Sequence, residues 1–271
     1  MKNRSIYSIL LSFVVTLSLL FTSCLSSLQE IADDLLFVPD GKTVQAYTNE
    51  EAIAAMKDAL EEGIKFAAKE LSKENAYYKN SLIKILLPPE AQPILNALNS
   101  IPGGSKLAEE VVLRLNRSAE ESAKDTIDIF AKAIKSMTVV DGIKIVTGSK
   151  NAATIYLKEK CYDSLVLLYK PKVNAALNKP LVLDISANAA WKKLVTTYNE
   201  YAKIPNSVAR LAGQAEPFPQ VEVDLASYAT KKALDGLFYK IEEEEAKIRE
   251  NPFGYASNMI QKVFGAVKRG R

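Results

Sequence analysis

The polar residues best placed to do chemistry lie in two short stretches of this sequence, LNRSAE at 115–120 and EEEEAKIR at 242–249. On a helix, Asn116 and Glu120 lie one turn apart at the border of an apolar stripe. Such a pair either lines a cleft or contacts backbone and water at a helix edge. Arg117 is predicted to lie on a solvated face of its helix with Glu110, Arg114 and Glu121, where arginines and glutamates form opposite-charge pairs at spacings of three and four residues.

Glu245 differs from the other glutamates of its run because it falls inside the apolar stripe of its helix, between Ile241 and Ile248. A lone buried carboxylate is costly, so Glu245 is expected to be paired or protonated. Arg249 follows four residues later, and an arginine can bridge a carboxylate with two parallel hydrogen bonds. The spacing predicts a structural salt bridge, with a cation or ligand site and a proton-transfer role as alternatives.

If these residues are catalytic, the protein is an enzyme whose acid and base groups are all carboxylates. The candidates for acid and base are Glu120, Asp141, Asp235 and Glu245, because neighbouring carboxyl groups with different pKa values can catalyse hydrolysis. This hypothesis requires at least three of the four to meet in an open cleft. Separate positions for Glu120 and Glu245, each against its own arginine, would count against it.

The composition restricts the chemistry further. The 271-residue chain has no histidine and two cysteines, Cys24 and Cys161. Ser-His-Asp catalysis, Cys-His catalysis and the usual zinc sites are thereby excluded. We predict no metal site and no cofactor, and Cys161 is expected to be a small packed residue.

The amino-terminal residues have the pattern of a bacterial lipoprotein signal. A basic start precedes an apolar run over 6–21, which is shorter than the roughly 20 residues of a membrane-spanning helix. Thr22 and Ser23 then precede Cys24, as in a lipobox, although Phe21 stands where leucine is usual. We predict cleavage before Cys24 and acylation, with chains such as palmitate, of its thiol and new amine. An uncleaved anchor and an ordinary signal peptide are the alternatives.

Cleavage at this point would leave a nearly neutral chain. The formal charge falls from +3 to +1, because 33 basic residues then face 32 acidic ones. Nucleic-acid binding rests on clustered lysine and arginine, so no nucleic-acid partner is predicted. The predicted partners are the membrane, through lipidated Cys24, and a protein or an apolar ligand, with the oligomeric state left open. No aspartate follows Cys24, which favours the outer membrane of the envelope, facing the periplasm.

Helical periodicity runs through nearly all of the remaining chain, and alternating strand patterns are scarce. The sequence therefore predicts an all-α fold, a multi-helix bundle-like single domain with antiparallel helices. The predicted division is a signal peptide at 1–23, a lipid-anchored tether at 24–48, a helical domain at 49–265 and a basic tail at 266–271.

Local signals predict where several helices begin and end. Capping boxes are expected at Thr48–Glu51 and Thr138–Asp141, and Ser149 is expected to cap the helix that follows it. Pro171 predicts a break or kink within a helix. The three prolines of 203–223 predict a loop or short helices.

Several stretches, taken in order, resemble one bacterial family. They are LNRSAEESA, MTVVDGIKIVTG, AATIYL, KKALDGLFYKIEEEEAKIRENP and KVFG, and their order is similar to that of domain of unknown function 4197 over about residues 49–265. Members commonly carry LNRAAE where this chain has LNRSAE. They share an Asp-Gly-Leu-Phe step, here Asp235–Phe238, and an acidic run into Ile-Arg-x-Asn-Pro, here Ile248–Pro252. The resemblance implies a helical envelope protein and brings no activity, catalytic residue or cofactor.

Three hypotheses about function follow. The leading one is a non-enzymatic, lipid-anchored helical domain of the envelope that binds a protein partner or an apolar ligand. The alternative is a carboxylate-dependent hydrolase-type enzyme. A pure spacer is the third, and it predicts a surface without a concave pocket.

Overall fold

The computed structural model describes residues 46–270, so the predicted signal peptide, Cys24 and nearly all of the predicted tether lie outside the described residues. From Tyr47 onward, the described residues belong to one compact unit. They form nine α-helices, listed here in chain order: α1 (Asn49–Leu71), α2 (Gln92–Ala97), α3 (Gly104–Ala123), α4 (Thr126–Ser136), α5 (Gly142–Thr147), α6 (Ala152–Asn178), α7 (Ala187–Leu211), α8 (Leu225–Glu250) and α9 (Asn258–Arg269). The predicted all-α, bundle-like fold is confirmed. Within 46–270, every helix is too short or too polar to span a bilayer.

Helix α8 is the central element of the bundle, and α1 and α6 pack against it. Its apolar side chains recur at helical spacing and are fully buried, and they include Leu234, Leu237, Ile241 and Ile248. Each such side chain stabilises the fold by about 1.5–3 kcal/mol when it leaves water. Helices α6 and α8 are antiparallel, because Ala153 contacts Glu245 at one end and Lys170 contacts Asp224 at the other.

The start of α1 has the predicted capping box. The Thr48 hydroxyl accepts a hydrogen bond from the N–H of Glu51 at 3.2 Å, and the Glu51 carboxylate accepts one from the N–H of Thr48 at 3.0 Å. Both bonds satisfy amides that a helix end leaves without a partner. The local signal in the sequence was sufficient here because all of the groups involved lie within four residues.

The start of α5 differs from the prediction. This helix begins after Asp141, whose Oδ1 accepts a hydrogen bond from the N–H of Lys144 at 2.9 Å. The capping box predicted to begin at Thr138 is therefore wrong. Asn49, at the start of α1, supplies the reason. Its side chain donates to the carbonyl of Val140 at 3.1 Å and accepts from the N–H of Gly142 at 2.8 Å. These bonds hold the segment before α5 against α1 and delay the helix by three residues.

The start of α6 also differs from the prediction. The cap residue is Asn151, and Ser149 donates its hydroxyl to the Asn151 side chain instead of capping the helix. The first amides of α6, those of Ala153 and Thr154, are bound by the carboxylate of Glu245. A side chain from α8 therefore does what a local cap would have done.

Two prolines lie inside helices. Helix α6 continues through Pro171, and α7 continues through Pro205 to Leu211, so the prediction of a loop or short helices over 203–223 is wrong for its first nine residues. The chain that returns after α7 packs against this helix near Pro205. Phe218 of that segment packs edge-on against two tyrosine rings of α7, at centroid distances of 5.2 and 6.4 Å. At the other end of the unit, α9 extends into the stretch predicted as a basic tail.

Two tyrosines with buried hydroxyls are expected to destabilise the fold at alkaline pH. The Tyr77 hydroxyl donates to the carbonyl of Ala233 at 2.7 Å, and the Tyr169 hydroxyl shares a 2.7 Å hydrogen bond with Ser122. Burial raises the pKa of both hydroxyls well above the usual value of about 10. A raised folded-state pKa keeps these hydroxyls protonated, so their contribution to stability is complete below about pH 10 and is lost as the pH rises further.

We therefore expect ionisation of Tyr77 and Tyr169 to coincide with loss of the helices. Tyrosinate absorbance at 295 nm and helical circular dichroism at 222 nm, followed through the same alkaline titration, measure the two events. Exposed tyrosines should ionise first, and the last portion of the absorbance change should share a midpoint with the loss of dichroism. Ionisation of every tyrosine in a chain that keeps its full helical signal would contradict this prediction.

Candidate functional site

The side chain of Asn116 is fully buried on α3 and binds the backbone of an extended segment. Its Oδ1 accepts from the N–H of Ile85 at 2.9 Å, and its Nδ2 donates to the carbonyl of Ile85 at 2.8 Å. The same Nδ2 donates to the carbonyl of Val112 at 2.7 Å, one turn back on α3. The Asn116 side chain thus makes the two hydrogen bonds to Ile85 that a neighbouring strand would make in a sheet.

Glu120 is buried one turn further along α3 and binds a turn. Its Oε1 accepts from the N–H groups of Tyr77 and Tyr78, at 3.0 and 3.3 Å. Its Oε2 accepts from Arg117 at 2.6 Å, and this guanidinium also donates to the side chain of Asn75 at 3.0 Å. Asn75 has a φ of 69°, the left-handed conformation of a tight turn. Glu120 and Arg117 therefore fix this turn.

Arg114 corrects the prediction of a solvated face. The residue is 2% exposed and donates to the carbonyls of Val182 and Ile185, at 3.3 and 3.2 Å. Between these carbonyls, Leu183 and Asp184 both have positive φ. Arg117 is partly buried as well, with a side chain 15% exposed. We call the four α3 side chains that bind non-helical segments the α3 clamp; they are Arg114, Asn116, Arg117 and Glu120.

Glu245 and Arg249 form the predicted salt bridge, with Nη2 of Arg249 2.7 Å and Nε 2.9 Å from Oε1 of Glu245. Glu245 is 1% exposed. Its two oxygens also accept from the N–H groups of Ala153 and Thr154, at 3.0 and 2.8 Å, and from the Thr154 hydroxyl at 2.6 Å. Both oxygens of the carboxylate therefore accept hydrogen bonds from several protein donors.

Arg249 uses its remaining donors on the end of α5. Its Nη1 donates to the carbonyl of Val146 at 2.6 Å, and its Nη2 donates to that of Ile145 at 3.1 Å. The negative charge of Glu245 therefore lies at the amino end of α6 and the positive charge at the carboxyl end of α5. Both positions are favourable with respect to the helix dipoles. We call Glu245 and Arg249 the α5–α6 joint.

Asp141 and Asp235 lie on the surface, apart from these two buried clusters. Asp141 is exposed and caps α5. Asp235 is partly exposed, 3.4 Å from Lys158 and 3.5 Å from the hydroxyl of Tyr162. Burial, with the charge of Asp235 as the second cause, raises the pKa of Tyr162 to about 12. Asp235 also lines an open cavity of about 320 Å³, with Lys232 among its neighbours.

The four candidate carboxylates have separate surroundings. Glu120 lines a cavity of about 520 Å³ beside Arg117, Asp235 lines the 320 Å³ cavity, and Asp141 and Glu245 line neither of them. Within residues 46–270, no group of three histidine, cysteine, aspartate or glutamate side chains is arranged to hold a metal ion. In the same part of the chain, every buried side-chain nitrogen and oxygen has a hydrogen-bond partner.

A different set of residues forms a groove of about 630 Å³ between α4 and α6. We call it the α4–α6 groove, and its principal lining residues are Lys132, Met137, Val140, Tyr156, Lys160, Cys161 and Leu168. Sequence reasoning missed it because its walls come from stretches about 25 residues apart. One signal was present: the run LVLL at 165–168 is apolar on more sides than a single buried stripe requires.

Comparison with known proteins supports the resemblance seen in the sequence. Residues 46–265 match the model of a family described as protein of unknown function, DUF4197. The chain belongs to the DUF4197 family. Searches of curated proteins and of solved structures gave no match.

The stretches by which the chain resembles other DUF4197 proteins have structural roles in this fold. LNRSAE supplies three members of the α3 clamp, and the run into Ile248–Pro252 contains Arg249 of the α5–α6 joint. In the Asp-Gly-Leu-Phe step, Gly236 lies directly against the ring of Tyr77, where a Cβ atom would overlap the ring. Phe238 packs against Phe130 at a centroid distance of 5.7 Å.

Proposed function

We propose that this DUF4197 protein is a lipid-anchored binding module of the bacterial envelope that holds its ligand without converting it. The observation that carries the proposal is the α4–α6 groove, which is open and has largely apolar walls. The two buried clusters support it indirectly. The clamp and joint side chains bind the protein's own backbone, and ligand sites are instead concave and mostly apolar with few polar groups.

The proposed anchor is Cys24, acylated after removal of residues 1–23. One acyl chain holds a protein to a bilayer only marginally, because each buried CH₂ contributes about 0.8 kcal/mol, whereas two or three chains hold it stably. The proposed location is the outer membrane, with the helical unit facing the periplasm. A ligand-binding domain tethered in this way would act close to the lipid surface.

The experiment is an analysis of the full-length protein in cells of its own bacterium. Membrane fractionation and mass spectrometry of the amino-terminal peptide are combined with crosslinking and pull-down, for the wild type and for Cys24→Ala. We expect an acylated peptide that begins at Cys24, in the outer-membrane fraction, and loss of both acylation and specific crosslinks in the variant. An unmodified amino terminus upstream of Cys24, or release of the wild-type protein into the medium, would overturn the anchor.

The alternative, a carboxylate-dependent hydrolase, has one observation in its favour. Asp235 is the candidate carboxylate that is partly exposed in an open cavity with a lysine beside it. Turnover of chromogenic esters, amides or glycosides by the wild type, lost in Asp235→Asn and kept in Asp141→Asn, would favour the enzyme. Equal background rates for all three proteins would favour the binding module.

A further inference from the structure

The walls of the α4–α6 groove are apolar and held in place from both sides. Val140 is 83% exposed and Leu168 is 54% exposed, large fractions for apolar residues on a folded surface. The Tyr156 hydroxyl donates to the carbonyl of Thr138 at 2.9 Å, which ties the segment after α4 to α6. Asn49 fixes the carbonyl of Val140 from the other side. The groove is therefore formed before any ligand binds.

The charged side chains of residues 46–270 that line the groove are both positive. Lys132 and Lys160 line it, and no carboxylate of residues 46–270 does. Neither lysine makes an ion pair within residues 46–270, whereas Lys124 and Lys172 nearby are paired with Glu121 and an aspartate. These two ammonium groups, of which that of Lys160 also lies 5.7 Å from the centroid of the Tyr156 ring, stand beside exposed apolar side chains and suit a ligand that is both anionic and apolar.

We propose that the α4–α6 groove binds a single-chain lipid with an anionic headgroup, a carboxylate or a phosphate. The headgroup lies between Lys132 and Lys160, and the acyl chain covers Met137, Val140 and Leu168. The adjoining cavity along α4, of about 500 Å³, shares Lys132 and Leu168 with the groove, but it does not suit the headgroup, because Asp125 and Asp128 also line it and would repel an anion. This inference rests on the proposed binding function and names the class of its ligand.

Cys161 provides a reporter, because it lines the groove with 8% of its surface exposed and is the single cysteine of the chain once Cys24 is removed. The experiment uses a chain that starts at Leu25 and so contains the whole compact unit. The rate of Cys161 alkylation by N-ethylmaleimide is measured with palmitate, palmitoyl lysophosphatidic acid, hexadecanol or inorganic phosphate, each below any micelle concentration. At about four times Kd, a bound lipid should slow alkylation about fivefold, since the unliganded fraction falls by that factor.

Three variants test the two halves of the groove. In Lys132→Gln/Lys160→Gln, palmitate and the lysophosphatidic acid should bind about fivefold to tenfold more weakly, because partly exposed ion pairs are individually weak. Val140→Asp places a charge on the apolar wall at an exposed position and should abolish protection. The matched control is Lys106→Gln/Lys231→Gln, which removes two exposed lysines that lie outside the groove and make no ion pair with the described residues, and it should bind like the wild type.

The outcomes separate the ligand class from the binding function. Protection by both anionic lipids, weak protection by hexadecanol and none by inorganic phosphate would support the proposal; protection by one headgroup alone would support it and identify that headgroup. Equal protection by hexadecanol would overturn the role of the lysines. An acidic amphipathic peptide is measured as a further probe, and protection by this peptide but by no lipid would overturn the ligand class and leave a protein-binding module. No protection by any probe would overturn the groove as a site, and the envelope anchor would still be tested by its own experiment.

Discussion

Glu245→Gln is expected to lower the free energy of unfolding by about 3 kcal/mol, because removal of one partner leaves a buried charge without compensation. The charge left behind is Arg249, whose side chain is 7% exposed. The amide of glutamine also turns a donor toward a site where five protein donors already converge. Urea unfolding followed by circular dichroism at 222 nm gives the change.

A matched control lies on the same helix. Glu243 pairs with Lys240 at 2.6 Å, but its side chain is partly exposed, so Glu243→Gln should cost less than about 1 kcal/mol. The double variant Glu245→Gln/Arg249→Met removes both charges and should recover part of the loss. A Glu245→Gln protein as stable as Glu243→Gln would show that the α5–α6 joint does not stabilise the fold.

Gly236→Ala is expected to lower the free energy of unfolding by about 2–3 kcal/mol, the effect of inserting an atom into a packed core. The added Cβ would overlap the ring of Tyr77, which is fully buried and cannot move without losing its hydrogen bond to Ala233. Alanine is the better helix former by about 1 kcal/mol, so helix propensity alone predicts the opposite sign. Thermal and urea unfolding decide between the two.

The control for this substitution is Gly270→Ala, where the nearest atom to a new Cβ is 3.6 Å away and the backbone is already helical. Its effect should be below about 0.5 kcal/mol, as for surface substitutions in general. The double variant Gly236→Ala/Tyr77→Leu removes the overlapping ring and should be less destabilised than the two single changes added together. A stabilised Gly236→Ala protein would contradict the packing described for Tyr77.

Features that depend on neighbours in sequence were predictable. The helical periodicity gave the fold class, the capping box at Thr48 was correct, and the pairing of Glu245 with Arg249 followed from a spacing of four residues. In each case the interacting groups lie within about one helical turn. Helical geometry alone then brings them together.

Features that depend on distant partners were not predictable. Asn116 and Glu120 bind backbone groups 31 and 43 residues away, and Arg114 binds a turn about 70 residues away. A helical wheel places Arg114 on a polar face, but it contains no information about the segment that covers that face. The same limit applies to the α4–α6 groove, whose walls meet only in the folded chain.

The polar residues of α3 that first suggested chemistry therefore bind the protein's own backbone in this fold. Several backbone groups of the chain between α1 and α2 and of the turn before α7 are bound by side chains of the α3 clamp. An uncompensated buried amide or carbonyl costs about 1–3 kcal/mol. This arrangement leaves the surface, and the α4–α6 groove in particular, as the place where we expect a ligand.

Amide hydrogen exchange at Tyr77, Tyr78 and Ile85 tests the role of the α3 clamp most directly. These amides lie outside the helices, yet each donates to a buried side chain of α3, so all three should exchange slowly in the wild type. Glu120→Ala should speed exchange at Tyr77 and Tyr78 by about tenfold or more, since a lost hydrogen bond contributes about 1.4 kcal/mol. Asn116→Ala should do the same at Ile85.

Amides in α8 report global unfolding in the same spectra, and Glu121→Ala, which removes a neighbouring surface carboxylate, is the matched control. We predict local acceleration in the two clamp variants, with α8 protected, and no change at these amides in Glu121→Ala. Rapid exchange at all three amides of the wild type, or unchanged protection after removal of the Glu120 carboxylate, would contradict the clamp and return Glu120 to the residues available for chemistry.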